Sequence, residues 1–162
     1  MPAVKPDLET RLAEDHHQAI KLWLRLLTCT NLITGQIRTR LREHFQTTLP
    51  RFDLLAQLER HPEGLKMSEL SKRMMVTTGN VTGITDQLEA EGLVRREPDP
   101  QDRRACTVKL TPRGRQVFAR MAQEHEGWVI ELFEGLSSSE KEQMYTLLGR
   151  LKTHLNGKEA RR

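Results

Sequence analysis

Apolar positions in the first third of the chain repeat with a helical period. Leu8, Leu12, Ile20, Trp23, Leu27, Ile37, Leu41 and Phe45 fall three, four or seven residues apart, or near multiples of these, and Thr30 and Thr34 continue the stripe. The pattern predicts one helix over residues 7–46, about 60 Å long at 1.5 Å per residue. A domain of this size cannot cover such a helix alone. Part of the stripe must face another chain, or the helix must bend, and Gly35 is the place for a bend.

Shorter elements follow. Thr48 reads as an N-cap with Pro50 in the first turn, ahead of a helix carrying Phe52, Leu55 and Leu58 that stops at His61-Pro62-Glu63-Gly64. Ser68 caps a second short helix with Leu70 and Met74. After Val76, Thr77 caps a third with Val81, Ile84 and Leu88 on its buried side, closed by Gly92 at C′. The period then changes to two. Leu93–Arg96 and Cys106–Leu110 read as strands around the polar turn Pro98-Asp99-Pro100-Gln101-Asp102, a hairpin with a charged tip. Thr111-Pro112 opens a helix with Val117, Met121, His125, Trp128, Leu132 and Leu136 on one face. Ser137 and Glu140 form a capping box before a last helix carrying Met144, Leu147, Leu151 and Leu155. The expected fold is mainly α with a small β-hairpin wing. Residues 48–111 form a winged helix-turn-helix, while 7–46 and 112–157 form a helical dimerisation layer.

Composition narrows the function. The chain has 162 residues and a net charge of +4. Its placement matters more than its size: residues 93–115 hold seven cations against three anions. Aromatic residues make up only 4%, which argues against single-strand binding by base stacking. No apolar run is long enough to span a membrane, and the start MPAVKPDLE has no apolar signal core. Cys29 and Cys106 stand 77 positions apart without a CxxC pair, so neither a disulfide framework nor a cysteine-based zinc site is expected. The histidines show no ligand spacing. No Gly-rich phosphate loop, GxSxG or HExxH is present, so neither an enzyme nor a cofactor is expected. A helical adaptor would fit the long terminal helices but not an arginine-tipped hairpin directly after a capped short helix.

A short helix laid across the major groove reads base edges with its N-terminal residues. Here it begins at Thr77. Asn80 suits adenine, and Thr78 and Thr82 suit thymine methyls or phosphates; Thr77 and Asn80 also read as plain caps, and the two roles can coexist. On the hairpin, Arg103 suits a narrow A·T-rich minor groove, with Asp102 orienting a guanidinium and Arg104 and Arg96 on the flanks near phosphates. Ser71, Lys72 and Arg73 on the preceding helix are phosphate candidates or an ordinary exposed face. Arg38, Arg40, Arg42 and Arg51 make a second basic run that reads as a solvated face, as DNA contacts or as a partner for a ligand carboxylate.

Three stretches together resemble the MarR family of bacterial transcription regulators. Leu88-Glu89 with Gly92-Leu93-Val94-Arg95-Arg96 is similar to the end of its recognition helix and the entry to its wing. Asp99-Pro100-Gln101-Asp102-Arg103-Arg104 is similar to the wing itself, and Leu110-Thr111-Pro112-Arg113-Gly114 to the junction that follows. The resemblance covers roughly residues 8–155. It implies a bacterial, cytoplasmic homodimer that represses by occupying a palindromic operator in double-stranded DNA and is released by a small molecule. The chain departs from the family pattern at Gly83, where an arginine is common. The resemblance places the effector between the dimer layer and the winged domain. The candidates there are His17, Trp23, Arg25, Leu27, Thr30, Arg38, Phe52 and Leu55, with Trp23 equally a core residue. Arg51–Leu58 through Gly92 is similar to the subset controlling aromatic-acid catabolism, which implies an aromatic carboxylate or its coenzyme A thioester. The regulatory alternative is redox sensing at Cys29, with Arg25 one turn away to lower its pKa, while Cys106 packs inward with Val108 and Leu110.

Overall fold

The structure, a computed structural model, describes residues 17–74 and 77–159. The predicted positions Leu8, Leu12 and Val76 lie outside the described residues. The chain divides into two compact units, residues 1–123 and 124–162. Its elements are α1 (Gln18–Phe45), α2 (Leu49–Glu59), β1 (Leu65–Lys66), α3 (Met67–Met74), α4 (Thr78–Ala90), β2 (Val94–Pro98), β3 (Cys106–Leu110), α5 (Pro112–Leu132) and α6 (Ser138–Glu159). Helix α5 starts in the first unit, and its residues from Glu124 onward belong to the second.

Local capping chemistry sets most boundaries. The Thr48 hydroxyl accepts from the Arg51 N–H at 3.4 Å, and the Thr77 hydroxyl from the Asn80 N–H at 3.3 Å. At the end of α4, Gly92 takes φ +74°. Its N–H reaches the Glu89 carbonyl and the Leu93 N–H reaches that of Leu88, both at 2.9 Å, which satisfies two otherwise orphaned acceptors. Ser137 and Glu140 bond reciprocally at 2.7 and 3.2 Å. One expected cap is corrected. α3 begins at Met67, before Ser68, and the Glu69 carboxylate reaches back to the Lys66 N–H at 2.8 Å.

The sheet has three strands, not two. Its order is β1-β3-β2, antiparallel throughout, with Leu65 opposite Val108 and Val94 opposite Leu110. A two-residue strand carries no period, which is why the hydrophobic pattern missed β1. Alternation along β3 sends Val108 and Leu110 inward, but Cys106 is exposed. It stands opposite Pro98 at the outer end of the ladder, beyond the core, so the inward packing expected for it does not occur.

The core of the first unit gathers Leu41, Leu54, Leu55, Leu58, Leu70, Val81, Leu88, Val94 and Val108, all fully buried. Each such side chain contributes about 2 kcal/mol through removal from water. Phe52 joins them with its ring 5.4 Å from that of Phe118. Thr85 occupies a core position that the apolar pattern skipped, and its hydroxyl is satisfied by the Val81 carbonyl at 2.7 Å. α1 runs unbroken through Gly35, so no break there relieves the length of its stripe. Ile37 and Leu41 are its buried residues, while Ile20, Leu22, Trp23, Leu27 and Leu32 stay exposed. In the second unit Trp128 is buried, and α6 leaves Met144, Leu147, Leu148, Leu151 and Leu155 exposed.

The junction of wing and α5 needs a glycine. Thr111 donates its hydroxyl to the Gly92 carbonyl at 2.6 Å and accepts from the Gly114 N–H at 2.9 Å. This draws Gly114 so close to Leu93 that a Cβ would overlap the Leu93 carbonyl. Alanine is favoured over glycine inside a helix by about 1 kcal/mol. Overpacking against backbone costs about 1–3 kcal/mol and wins here. Gly114→Ala should therefore lower the urea midpoint of unfolding; an equal or higher midpoint would show that the junction has slack.

Candidate nucleic-acid interface

The exposed face of α4 begins at its cap. Thr77, Gly79, Asn80, Thr82 and Gly83 are all exposed, and Thr78 opens the helix behind the Thr77 cap. Gly79 and Gly83 have open space where a Cβ would stand. An open groove of about 580 Å³ lies between this face and the start of α2, lined in part by Arg51, Gly79, Asn80, Gly83 and Gln87. On α3, Lys72 and Arg73 are exposed in the last turn and Ser71 is half-buried.

The wing is braced from both sides. Arg96, expected near phosphates, turns inward: its guanidinium donates to Glu89 at 2.9 Å and to Asp86 at 2.5 Å, both on α4. Its backbone N–H also donates to Glu89 at 3.0 Å. Strand β2 is thus tied to the helix whose other face is exposed. On the outer face, Glu97 takes Arg95 at 2.9 Å and Lys109 at 2.8 Å. At the tip, Asp99 is buried. Its carboxylate accepts from the Gln101 N–H at 2.8 Å and pairs with Lys66 of β1 at 3.0 Å. The Asp99 N–H donates to the Ala105 carbonyl at 3.0 Å and closes the loop.

Asp102 was expected to orient a guanidinium. Instead its carboxylate accepts from the Arg104 backbone N–H at 3.0 Å and shapes the turn. Arg103 and Arg104 are exposed, with no carboxylate partner among the described residues. A tight, pre-shaped loop therefore presents two guanidiniums outward. Lys66, Asp99, Asp86 and Glu89, which build this arrangement, were missed from the sequence. The only local signal was Asp99 two residues before Gln101, an Asx-turn spacing.

The eight ligand candidates are not brought together. Trp23, Leu27 and Thr30 share one exposed face of α1 with Ile20. Arg25 stands two residues on from Trp23, about 200° around the helix. Arg38 is fifteen residues along α1, about 22 Å from Trp23 on the helix axis. Phe52 and Leu55 are core residues, and His17 is half-buried just before α1. Cys29 is exposed, on the side of α1 that carries Arg25. Among the described residues no helix is long and apolar enough to cross a membrane, and no group of three His, Cys, Asp or Glu is placed to hold a metal ion.

Comparison with known proteins places this architecture. The model of the MarR family matches residues 47–106, from the cap of α2 through the wing. The HTH-type transcriptional regulator PecS of Dickeya dadantii is 28% identical over 131 residues, covering 80% of this chain and 79% of its own. The solved structure of AbsC, a MarR family transcriptional regulator from Streptomyces coelicolor, superposes with a TM-score of 0.75 at 25% identity, over 89% of this chain and 97% of that one. A second Streptomyces coelicolor MarR family regulator, solved in complex with DNA, shares the fold with a TM-score of 0.75 at 23% identity, over 88% and 89% of the two chains. The segment from the cap of α2 through the wing thus matches the MarR family, and the relatives named here are transcriptional regulators, not enzymes.

The wing loop sets a pH limit. The Gln101 N–H and then Lys66 hold the Asp99 carboxyl below the usual aspartate range. Its folded pKa lies under its unfolded value, so its contribution is complete above the unfolded pKa of about 4. That contribution is lost as pH falls through the depressed folded value. Asp99→Asn should be less stable than the wild type at pH 7, and the difference should shrink below about pH 4. A difference that stays constant down to pH 2.5 or so would show that the charge has no part in holding the loop.

Proposed function

We propose that the chain is a ligand-responsive transcriptional regulator that binds double-stranded DNA as a homodimer. The observation that carries this reading is the joint presentation of one surface: the exposed start of α4, and a wing tied to α4 by Arg96 and tipped by Arg103 and Arg104. The start of α4 enters the major groove with Thr77, Thr78, Asn80 and Thr82, and Arg103 enters the adjacent minor groove. Ser71, Lys72, Arg73 and Arg104 meet phosphates. Arg96 acts one step removed, by holding the wing in register with α4.

The exposed apolar stripes of α1 and of α6 support dimerisation, because soluble monomers rarely leave such faces uncovered. In this reading residues 7–46 and 112–157 make the dimer layer and 48–111 the winged domain. Two copies then read half-sites about 34 Å apart on a palindromic operator. We assign repression to operator occupancy and release to a small aromatic carboxylate or its coenzyme A thioester. That effector sits against the α1 face of Trp23, Leu27 and Thr30. It acts by binding two arrangements of the winged domains unequally, without which no population shifts.

Titration of a fluorescent operator duplex tests both parts. Arg103→Ala should weaken binding by about 1–3 kcal/mol, and members of a panel of hydroxybenzoates, hydroxycinnamates and their thioesters should weaken the wild type's binding. Unchanged affinity in Arg103→Ala at moderate salt would remove the wing from the interface. A panel without effect would remove the aromatic effector and leave DNA binding standing.

A further inference from the structure

The cations of the first unit fall into two groups. Arg51, Lys66, Arg95, Arg96 and Lys109 each meet a carboxylate, and all but Arg95, whose partner Glu97 is on its own strand, tie one segment to another. Arg38 and Arg42 on α1 have no ion-pair partner among the described residues, and both are exposed. They are four residues apart and so stand on one face, about 6 Å from each other. Together they line an open groove of about 400 Å³ whose opposite wall is the chain from Gln46 to Pro50. The one carboxylate beside them in sequence, Glu43, is exposed a further third of a turn round the helix.

The position of this groove gives it a use. Thr48 and Pro50 wall it on one side, and the same two residues wall the groove that holds Gly79, Asn80, Gly83 and Gln87 of α4. A single ridge therefore separates the two arginines from the exposed face of α4. Guanidiniums match phosphate oxygens in charge and in planar donor geometry. The groove offers no aromatic wall, and Trp23 lies about 22 Å away along α1, which fits a phosphate better than an aromatic acid.

We propose that Arg38 and Arg42 each grip a backbone phosphate of the DNA strand that runs out past α4 over the Thr48–Pro50 ridge. The footprint then extends beyond the winged helix-turn-helix onto the last turns of α1. The inference rests on the DNA-binding reading above and names an added contact within it. Phosphates position the protein and carry no base information, so these residues supply affinity and salt dependence, not sequence preference.

The test is duplex binding by the full chain between about 50 and 200 mM salt. It compares the wild type, the Arg38→Gln/Arg42→Gln double variant and the Arg38→Lys/Arg42→Lys double variant. Each lost phosphate contact lowers the slope of log K against log salt by about 0.9. The glutamine pair should therefore show a slope shallower by about 1.8 for each protomer on the duplex, about 3.6 for the homodimer, and weaker binding to operator and unrelated duplex alike. The lysine pair should recover most of the slope. Thermal melts confirm that the exposed replacements leave the fold intact. Unchanged slope and affinity in the glutamine pair, beside a wild type that binds normally, would overturn this inference and leave the DNA reading untouched. An affinity loss confined to the operator, with an unchanged slope, would also overturn it. A wild type that ignores duplex DNA at low salt would end both readings together.

Discussion

The clamp between Arg96 and the two carboxylates of α4 is the interaction on which the surface depends. A hairpin alone does not hold a fixed direction in water. Arg96 makes charged bonds to Asp86 and Glu89, and its backbone adds a third bond to Glu89. Arg96 itself is half-buried while both carboxylates are exposed, so the orientation comes from three bonds that converge on one residue. The wing tip consequently keeps a set position relative to the start of α4. Lys66 and Asp99 brace the loop from the opposite strand, and Thr111 and Gly114 fix the wing's exit into α5.

This division separates structural cations from available ones. Arg51, Lys66, Arg95, Arg96 and Lys109 are occupied by carboxylates. Arg103 and Arg104 are not, and their loop is shaped by backbone and carboxylate bonds that involve neither guanidinium. Ordering a loop in advance reduces the entropy lost on binding, which favours the groove contact proposed for this one. Gly79 and Gly83 leave two positions in the first half of the exposed α4 face without side chains. In the proposed reading that leaves base contacts to Asn80, near the start of α4, and to the wing.

Much of this was legible in the sequence, for a physical reason. Caps act over three residues, so Thr48, Thr77, Gly92 and the Ser137–Glu140 pair could be read directly, as could the helical stripes and the two longer strands. What escaped reading depends on distant pairing. Lys66 meets Asp99 across 33 residues, and Arg96 meets Asp86 across ten, with no local pattern to announce either. The ligand candidates are scattered for another reason. A stripe tells which positions are apolar but not which are covered, so buried Phe52 and Leu55 were grouped with exposed Trp23 and with Arg38 far along the same helix.

The most direct measurement of the central claim is a double-mutant cycle on operator affinity between Arg96→Gln and Arg103→Ala. If Arg96 holds the wing where Arg103 can reach its groove, the two losses are not additive. Arg103→Ala then costs less in the Arg96→Gln background, by at least about 0.5 kcal/mol. Losses that add to within about 0.3 kcal/mol in folded variants would contradict it, because the wing would then find its place on DNA without the clamp.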